Sequence, residues 1–180
     1  MTGSAIAVRR GGFRDIPYLR PIERAATLRF REHEAFEAFW ALDFSQALFA
    51  QKIAEGALWV ATLGPDAADP GDDEPVGFAF TTVIDGIAHL DEIDVHPGAS
   101  GRGVGSALLE RVADVARDEG YPAITLSTLE DVPWNAPYYE RRGFRILAAE
   151  ELTPGLRDLL AHEAECGFPM HLRVIMRREL

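Results

Sequence analysis

Glycines crowd one stretch of this chain at a point suited to holding an anion. Asp91-Glu92-Ile93-Asp94-Val95-His96-Pro97 has the alternation of a strand, and Gly98-Ala99-Ser100-Gly101-Arg102-Gly103-Val104-Gly105-Ser106 follows it directly. From Val104 onward, Leu108, Leu109, Val112 and Val115 recur at helical spacing. A strand, a glycine-dense loop and a helix start, in that order, present backbone N–H groups unobstructed by side chains, which makes a cradle for pyrophosphate. Gly101, Gly103 and Gly105 permit close approach, and Arg102 adds a positive charge. A nucleoside triphosphate loop would need Lys-Ser or Lys-Thr after the glycines, and neither is present. A dinucleotide fingerprint would need a third glycine, but the spacing ends on Ser106 or on Leu108, and the loop follows the fourth strand rather than the first. The remaining alternative is a structural turn with no ligand.

The strand leading into the loop carries His89, Asp91, Glu92, Asp94 and His96, each able to accept a proton. Strict alternation assigns Glu92, Asp94 and His96 to one face and His89 and Asp91 to the other. Downstream, Asn135-Ala136-Pro137-Tyr138-Tyr139-Glu140-Arg141-Arg142-Gly143-Phe144 offers two phenols at a helix-to-strand junction. The single cysteine, Cys166, has no nucleophile motif around it and reads as a packing or surface thiol. His33, His162 and His171 lack metal-ligand spacing, so no metal is expected.

The elements that must position these groups follow from periodicity and turn residues. Residues 5–9 alternate as an edge strand ended by Gly11-Gly12. Asp15 caps a helix with Pro17 in its first turn and Leu19, Ile22, Ala25, Ala26 and Phe30 on one face. A second helical stretch spans 34–55, with a break near Asp43 and a stop at Gly56. Residues 58–63 read as a strand and the acidic, proline-rich 64–75 as a solvated loop. Residues 76–85 and 87–95 form a hairpin about Asp85-Gly86. A helix at 101–119, a strand at 123–128, a helix at 133–142, a strand at 144–148, a helix begun by Thr153-Pro154 and a strand at 171–177 complete one mixed α/β domain over residues 1–180. The formal net charge of −11 argues against nucleic acid as a partner and suits a cationic small molecule or plain solubility. No apolar run reaches membrane-spanning length and no signal peptide is visible, so the expected location is cytoplasmic, away from membranes.

Taken together, Ser100-Gly101-Arg102-Gly103-Val104-Gly105 resembles the acyl-CoA-binding motif of the GNAT (GCN-five-related) N-acetyltransferase superfamily, Arg/Gln-x-x-Gly-x-Gly/Ala. The departure is Ser100, too short to reach as Arg or Gln does. The Tyr139-Glu140-Arg141-Arg142-Gly143-Phe144 junction is similar to that family's Tyr-Glu-x-x-Gly-Phe. Two motifs in the right order, about 35 residues apart, are far more specific than one. The resemblance implies a mostly antiparallel central sheet that splays between its fourth and fifth strands, flanked by helices. It also implies acetyl-CoA as co-substrate, held by Ile93, Val95, Ser100, Gly101, Arg102, Gly103, Val104, Gly105 and Ser106. The family's asparagine position falls on Val132; Asn135, one helical turn before Tyr138 and Tyr139, is the nearest substitute.

The expected chemistry is transfer of an acetyl group to a primary amine by direct attack in a ternary complex. By the same resemblance Tyr139 sits beside the leaving sulfur and is the expected acid, with Tyr138 as its competitor. Glu92 is the expected base by resemblance, with His89 as an alternative. Phe30, His33, Phe36, Phe39, Trp40, Phe44 and Trp134 are candidates for an acceptor pocket or for core packing, and Glu130 and Asp131 for attraction of a cationic amine. The alternative function is a catalytically silent acyl-CoA-binding sensor or partner subunit; an O-acceptor, a longer acyl donor and a homodimer through the last strand are further possibilities.

Overall fold

The computed structural model describes residues 5–42, 44–64 and 74–180. Its strands are β1 (Ala5–Arg10), β2 (Leu58–Gly64), β3 (Pro75–Ile84), β4 (Ile87–Val95), β5 (Ala123–Leu129), β6 (Arg145–Ile146) and β7 (Arg173–Glu179). They form one sheet in the order β1-β2-β3-β4-β5-β7-β6, antiparallel except where β4 runs parallel to β5. The helices are α1 (Ile16–Thr27), α2 (Phe36–Ala41), α3 (Gln46–Ala54), α4 (Val104–Asp118), α5 (Ala136–Glu140) and α6 (Pro154–Glu165).

Alternation along β2 and β3 explains why helices cover both faces. Trp59, Ala61 and Ala79 pack with Val104, Leu108, Leu109 and Val112 of α4, whereas Leu58, Val60, Phe78 and Phe80 pack with Leu19 and Ile22 of α1 and Phe49 of α3. Both faces are apolar, so each buried Leu, Val or Phe contributes about 1.5–3 kcal/mol through lost contact with water. Gly77 is where α4 comes closest: a Cβ there would sit 2.8 Å from the Asp94 carbonyl and 3.2 Å from Leu108 and Val104. The β3–β4 hairpin turns at Asp85 and Gly86, both at positive φ, as the Asp-Gly pair predicts.

Several local expectations change. Asp15 precedes α1 but does not cap it with its side chain; its buried carboxylate accepts from Gly12 N–H (2.8 Å) and from both Nη atoms of Arg9 (2.7 and 2.8 Å). The 34–55 stretch is two short helices, and Asp43 lies outside the described residues. So do residues 65–73 of the expected acidic loop. The 133–142 helix shrinks to α5 because Val132 to Asn135 form a turn in which Asn135 N–H donates to the Val132 carbonyl. The 144–148 strand pairs with β7 only at Arg145 and Ile146. Among the described residues, no helix is long and apolar enough to cross a membrane, and no group of three or more His, Cys, Asp or Glu is placed to hold a metal.

The feature that opens the site is the short β4–β5 pairing. It runs only from Ala88 to Leu90 against Ile124 to Leu126, after which β5 continues with β7 and leaves β4. From Asp91 onward, that edge of β4 borders a cleft.

Candidate active site

The cleft occupies about 1050 Å³ and runs from the first turn of α4, past the free edge of β4, to α1 and α2. At its α4 end, Gly101 (φ 75°) and Gly103 (φ 90°) take left-handed conformations that other residues adopt only with strain. These turns aim the start of the helix at the cleft. Ala107 N–H donates to the Gly103 carbonyl, leaving the N–H groups of Val104, Gly105 and Ser106 without intrahelical acceptors. A Cβ on Gly105 would enter this space, 3.3 Å from the Tyr138 hydroxyl and 3.7 Å from Val95 Cγ2. Ser100, Gly101, Gly103, Val104, Gly105 and Ser106 all line the cleft, whereas Arg102 is exposed outside its walls.

A cation does stand at the cradle, but it comes from the turn that follows α5. Arg142 Nη2 donates to Ser106 Oγ (2.5 Å), Nη1 donates to the Tyr138 carbonyl (3.1 Å), and the guanidinium lies 3.6 Å from the centre of the Tyr138 ring. Among the described residues Arg142 has no ion-pair partner. A preorganised guanidinium beside free helix N–H groups suits a phosphate oxygen.

Along β4 the backbone faces the cleft in alternate residues. His96 N–H donates to the Val76 carbonyl on the β3 side (2.8 Å), so the alternation of the strand turns the polar groups of Val95 and Ile93 toward the open side. The Glu92 carboxylate accepts from Ile93 N–H at 3.2 Å. The strand is not regular, however. Phe80 faces Glu92 and Thr81 faces Leu90, so Asp91 is an extra residue and the alternation resets. His89, paired with Thr82, thereby shares the face of Glu92 and Asp94, contrary to the two-face assignment from sequence.

Burial sets the proton affinities here. It pushes Glu92 up to about 7, opposed by the Ile93 N–H and reinforced by Glu23. Asp94 is raised well above the ordinary carboxylate range by burial and then by Glu92 and Glu23. Asp91 is exposed at its surface, yet protein crowding around its carboxylate removes enough water to raise it to about 6, despite its 3.1 Å ion pair with Lys52. His89 is pressed down to about 4 by burial and stays neutral; its Nδ1 lies 2.8 Å from Thr125 Oγ1, tying β4 to β5 where they part, and it is not part of the cleft wall. His96 lies beyond the strand, exposed, accepting from Gly98 N–H.

The two tyrosines point to different neighbours. Tyr138 reaches the first turn of α4, its hydroxyl 3.4 Å from Ser106 Oγ. Tyr139 is buried against Phe144; burial, Tyr138, Glu92 and Asp94 all raise its pKa, so its hydroxyl stays protonated. Both line the cleft, as does Asn135.

Beyond Glu92 and Asp94 the walls come from α1, α2 and the segments around Trp134 and Phe168. Of the aromatic residues singled out from sequence, Phe30, Phe39, Phe44 and Trp134 line the cleft. Phe36 and Trp40 stack on each other outside it, and His33 pairs with Asp131 at 3.1 Å. Glu23 is the residue the sequence reading passed over: it is 1% exposed, its Oε1 accepts from Thr27 Oγ1 (3.0 Å), and its Oε2 makes no hydrogen bond although Arg20 and Arg24 lie 3.6 Å away. Its signal was a carboxylate on the same stripe as Leu19, Ala26 and Thr27.

A strand-edge cleft ending on a helix N-terminus matches known proteins in both sequence and shape. The model of the Acetyltransferase (GNAT) family matches residues 19–144. The chain belongs to the GNAT family. It is 27% identical over 107 residues to the peptidyl-lysine N-acetyltransferase YjaB of Salmonella typhimurium, covering 59% of this chain and 63% of that protein. It is 32% identical over 118 residues to the thialysine N-epsilon-acetyltransferase of Bos taurus, covering 60% and 65%. These matches span less than two thirds of either relative. The PaiA N-acetyltransferase of Thermoplasma acidophilum, solved with coenzyme A, superposes with a TM-score of 0.69 at 15% identity, covering 98% of this chain and 99% of that one. The N-acetylglutamate synthase of Neisseria gonorrhoeae, solved with coenzyme A and N-acetyl-glutamate, gives 0.72 at 18% identity, over 98% of this chain and 35% of that one. The GNAT fold expected from the two motifs is therefore present, including the mostly antiparallel sheet and its parallel β4–β5 pair.

Proposed function

We propose that this GNAT chain transfers the acetyl group of acetyl-CoA to a primary amine by direct attack in a ternary complex. The observation that supports this most is a single cleft joining the N–H cradle of α4 to the carboxylates of Glu92 and Asp94, with Tyr139 on its wall. The residues fit the coenzyme. Val104, Gly105 and Ser106 hold the pyrophosphate through backbone N–H groups, and Arg142 supplies the cation that Ser100 cannot. Ile93 and Val95 offer backbone groups to the pantetheine arm, and Ser100, Gly101, Gly103 and Asn135 complete the walls. Arg102, outside the cleft, contributes charge from a distance.

In the reaction the amine nitrogen bonds to the thioester carbonyl carbon and the carbon–sulfur bond breaks. Alkyl amines have pKa values near 10, so a base must take the proton. Glu92, directly or through a water, accepts it, and a carboxylate that titrates near 7 is suited to cycling at neutral pH. Tyr139 faces the departing sulfur. Because burial holds its proton tightly, the hydroxyl donates a hydrogen bond and the sulfur leaves as thiolate.

The test is release of free thiol from acetyl-CoA in the presence of an amine panel, compared with Tyr139→Phe. The variant is expected to lose about tenfold or more in kcat while its affinity for acetyl-CoA holds. Tight coenzyme binding without thiol release from any amine would favour the silent sensor instead.

A further inference from the structure

The far mouth of the cleft carries a cation that no described residue neutralises. Arg29 lies just past the end of α1, exposed, with its guanidinium 4.4 Å from the centre of the Trp134 ring. Trp134 is 39% exposed and packs against Phe30 at 5.8 Å. Among the described residues Arg29 has no hydrogen bond and no ion pair, unlike Arg20, Arg24 and Arg173, which each face a carboxylate. Partial removal from water lowers its pKa, and no carboxylate offsets that. In a chain of net charge −11, a guanidinium held over an aromatic ring at a cleft mouth, its donors unused among the described residues, is arranged for an anion arriving from outside.

Carboxylates lie deeper. Glu23, Glu92 and Asp94 line the same cleft; Arg20 and Arg24 at 3.6 Å offset Glu23, which leaves Glu92 as the carboxylate open to an amine. Glu23 and Arg29 are separated by one turn of α1 and the 3₁₀ turn Leu28–Phe30 that follows it, about 10 Å along the axis. An occupant that satisfies both ends has an amine at one end and an anionic group several bonds away. Phe30 and Phe39, tilted together at 4.7 Å, and Phe168, edge-on to Phe39 at 4.9 Å, provide apolar walls suited to the methylenes between.

We propose that the acceptor is a free amino acid acetylated on its side-chain amine, with its carboxylate held by Arg29. This rests on the acetyltransferase reading and adds the substrate class to it. The arrangement selects against a simple diamine, which leaves Arg29 without an anion, and favours the side-chain amine over the α-amine, which sits beside the carboxylate that Arg29 would hold.

The experiment compares matched acceptors that differ only in the carboxylate: L-lysine with cadaverine, and L-ornithine with putrescine. Each is assayed for thiol release with the wild-type protein, Arg29→Gln and Arg29→Lys, and the acetylated nitrogen is assigned by mass spectrometry. The expected result is a preference of about 10–100-fold in kcat/KM for the amino acid over its diamine, with the product acetylated on the side-chain amine. Arg29→Gln collapses that ratio toward one, and Arg29→Lys restores part of it. Equal turnover of amino acid and diamine, or a ratio untouched by Arg29→Gln, overturns the carboxylate assignment while leaving acetyl transfer standing. No turnover of any amine by a protein that binds acetyl-CoA overturns both.

Discussion

Replacing Glu92 with Gln is expected to lower kcat for amine acetylation by about 10²–10⁴-fold, with little change in affinity for acetyl-CoA. The amide keeps the shape and accepts from Ile93 N–H through its oxygen, but it cannot take a proton. In the wild type, activity should rise with pH through about 7 as Glu92 ionises, and this limb should vanish in the variant. Stability gives an independent readout with a definite sign. A carboxylate whose folded pKa lies above its unfolded value makes the folded state lose stability as pH rises from the ordinary carboxylate range through about 7. Glu92→Gln removes that loss, so the variant should melt above the wild type at pH 8, with the difference fading at acidic pH. A stable but inactive variant separates a base that strains the fold from a residue that merely supports it. Full activity in Glu92→Gln would transfer the role to Asp94 or Asp91.

The second large effect is expected at the cradle. Gly105→Val should weaken acetyl-CoA binding by about 10²–10⁴-fold, the loss of two charge-assisted hydrogen bonds of about 1.5–3 kcal/mol each. The new side chain would occupy the space between the Tyr138 hydroxyl and Val95. Because φ at Gly105 is not in the left-handed region, the backbone tolerates the change, and the loss reports on the ligand rather than on folding. Melting temperatures close to the wild type, with KM for acetyl-CoA sharply raised, would carry the point. An unchanged KM would mean that the coenzyme approaches the helix elsewhere.

The parts legible in the sequence are those that local patterns govern. Glycine density after an alternating run marks the strand, loop and helix from Asp91 to Asp118, because left-handed turns and helical spacing leave direct traces. The Asp85-Gly86 hairpin is equally local. What escaped depends on long-range packing. Arg142 meets Ser106 from the turn after α5, 36 residues away in sequence. Glu23 and Arg29 reach the cleft only because α1 lies across the opened edge of β4. The extra residue at Asp91 defeats alternation with no glycine or proline to announce it, so His89 moves to the face of Glu92. The short elements α2, α5 and β6 fall below the length at which periodicity can be read. Resemblance pointed to the proposed coenzyme loop and to Tyr139, but it gave no hint of the cation at Arg142, since Ser100 breaks the motif at the position where charge or reach is usual.

The claim on which the rest depends is that this cleft holds acetyl-CoA, and calorimetric titration of acetyl-CoA into the purified, coenzyme-free protein tests it most directly. The predicted result is one-site binding near micromolar affinity, about −8 kcal/mol, sharply weakened in Gly105→Val. A folded protein that binds no acetyl-CoA would contradict it, and the glycines from Gly101 to Gly105 would then be a structural turn.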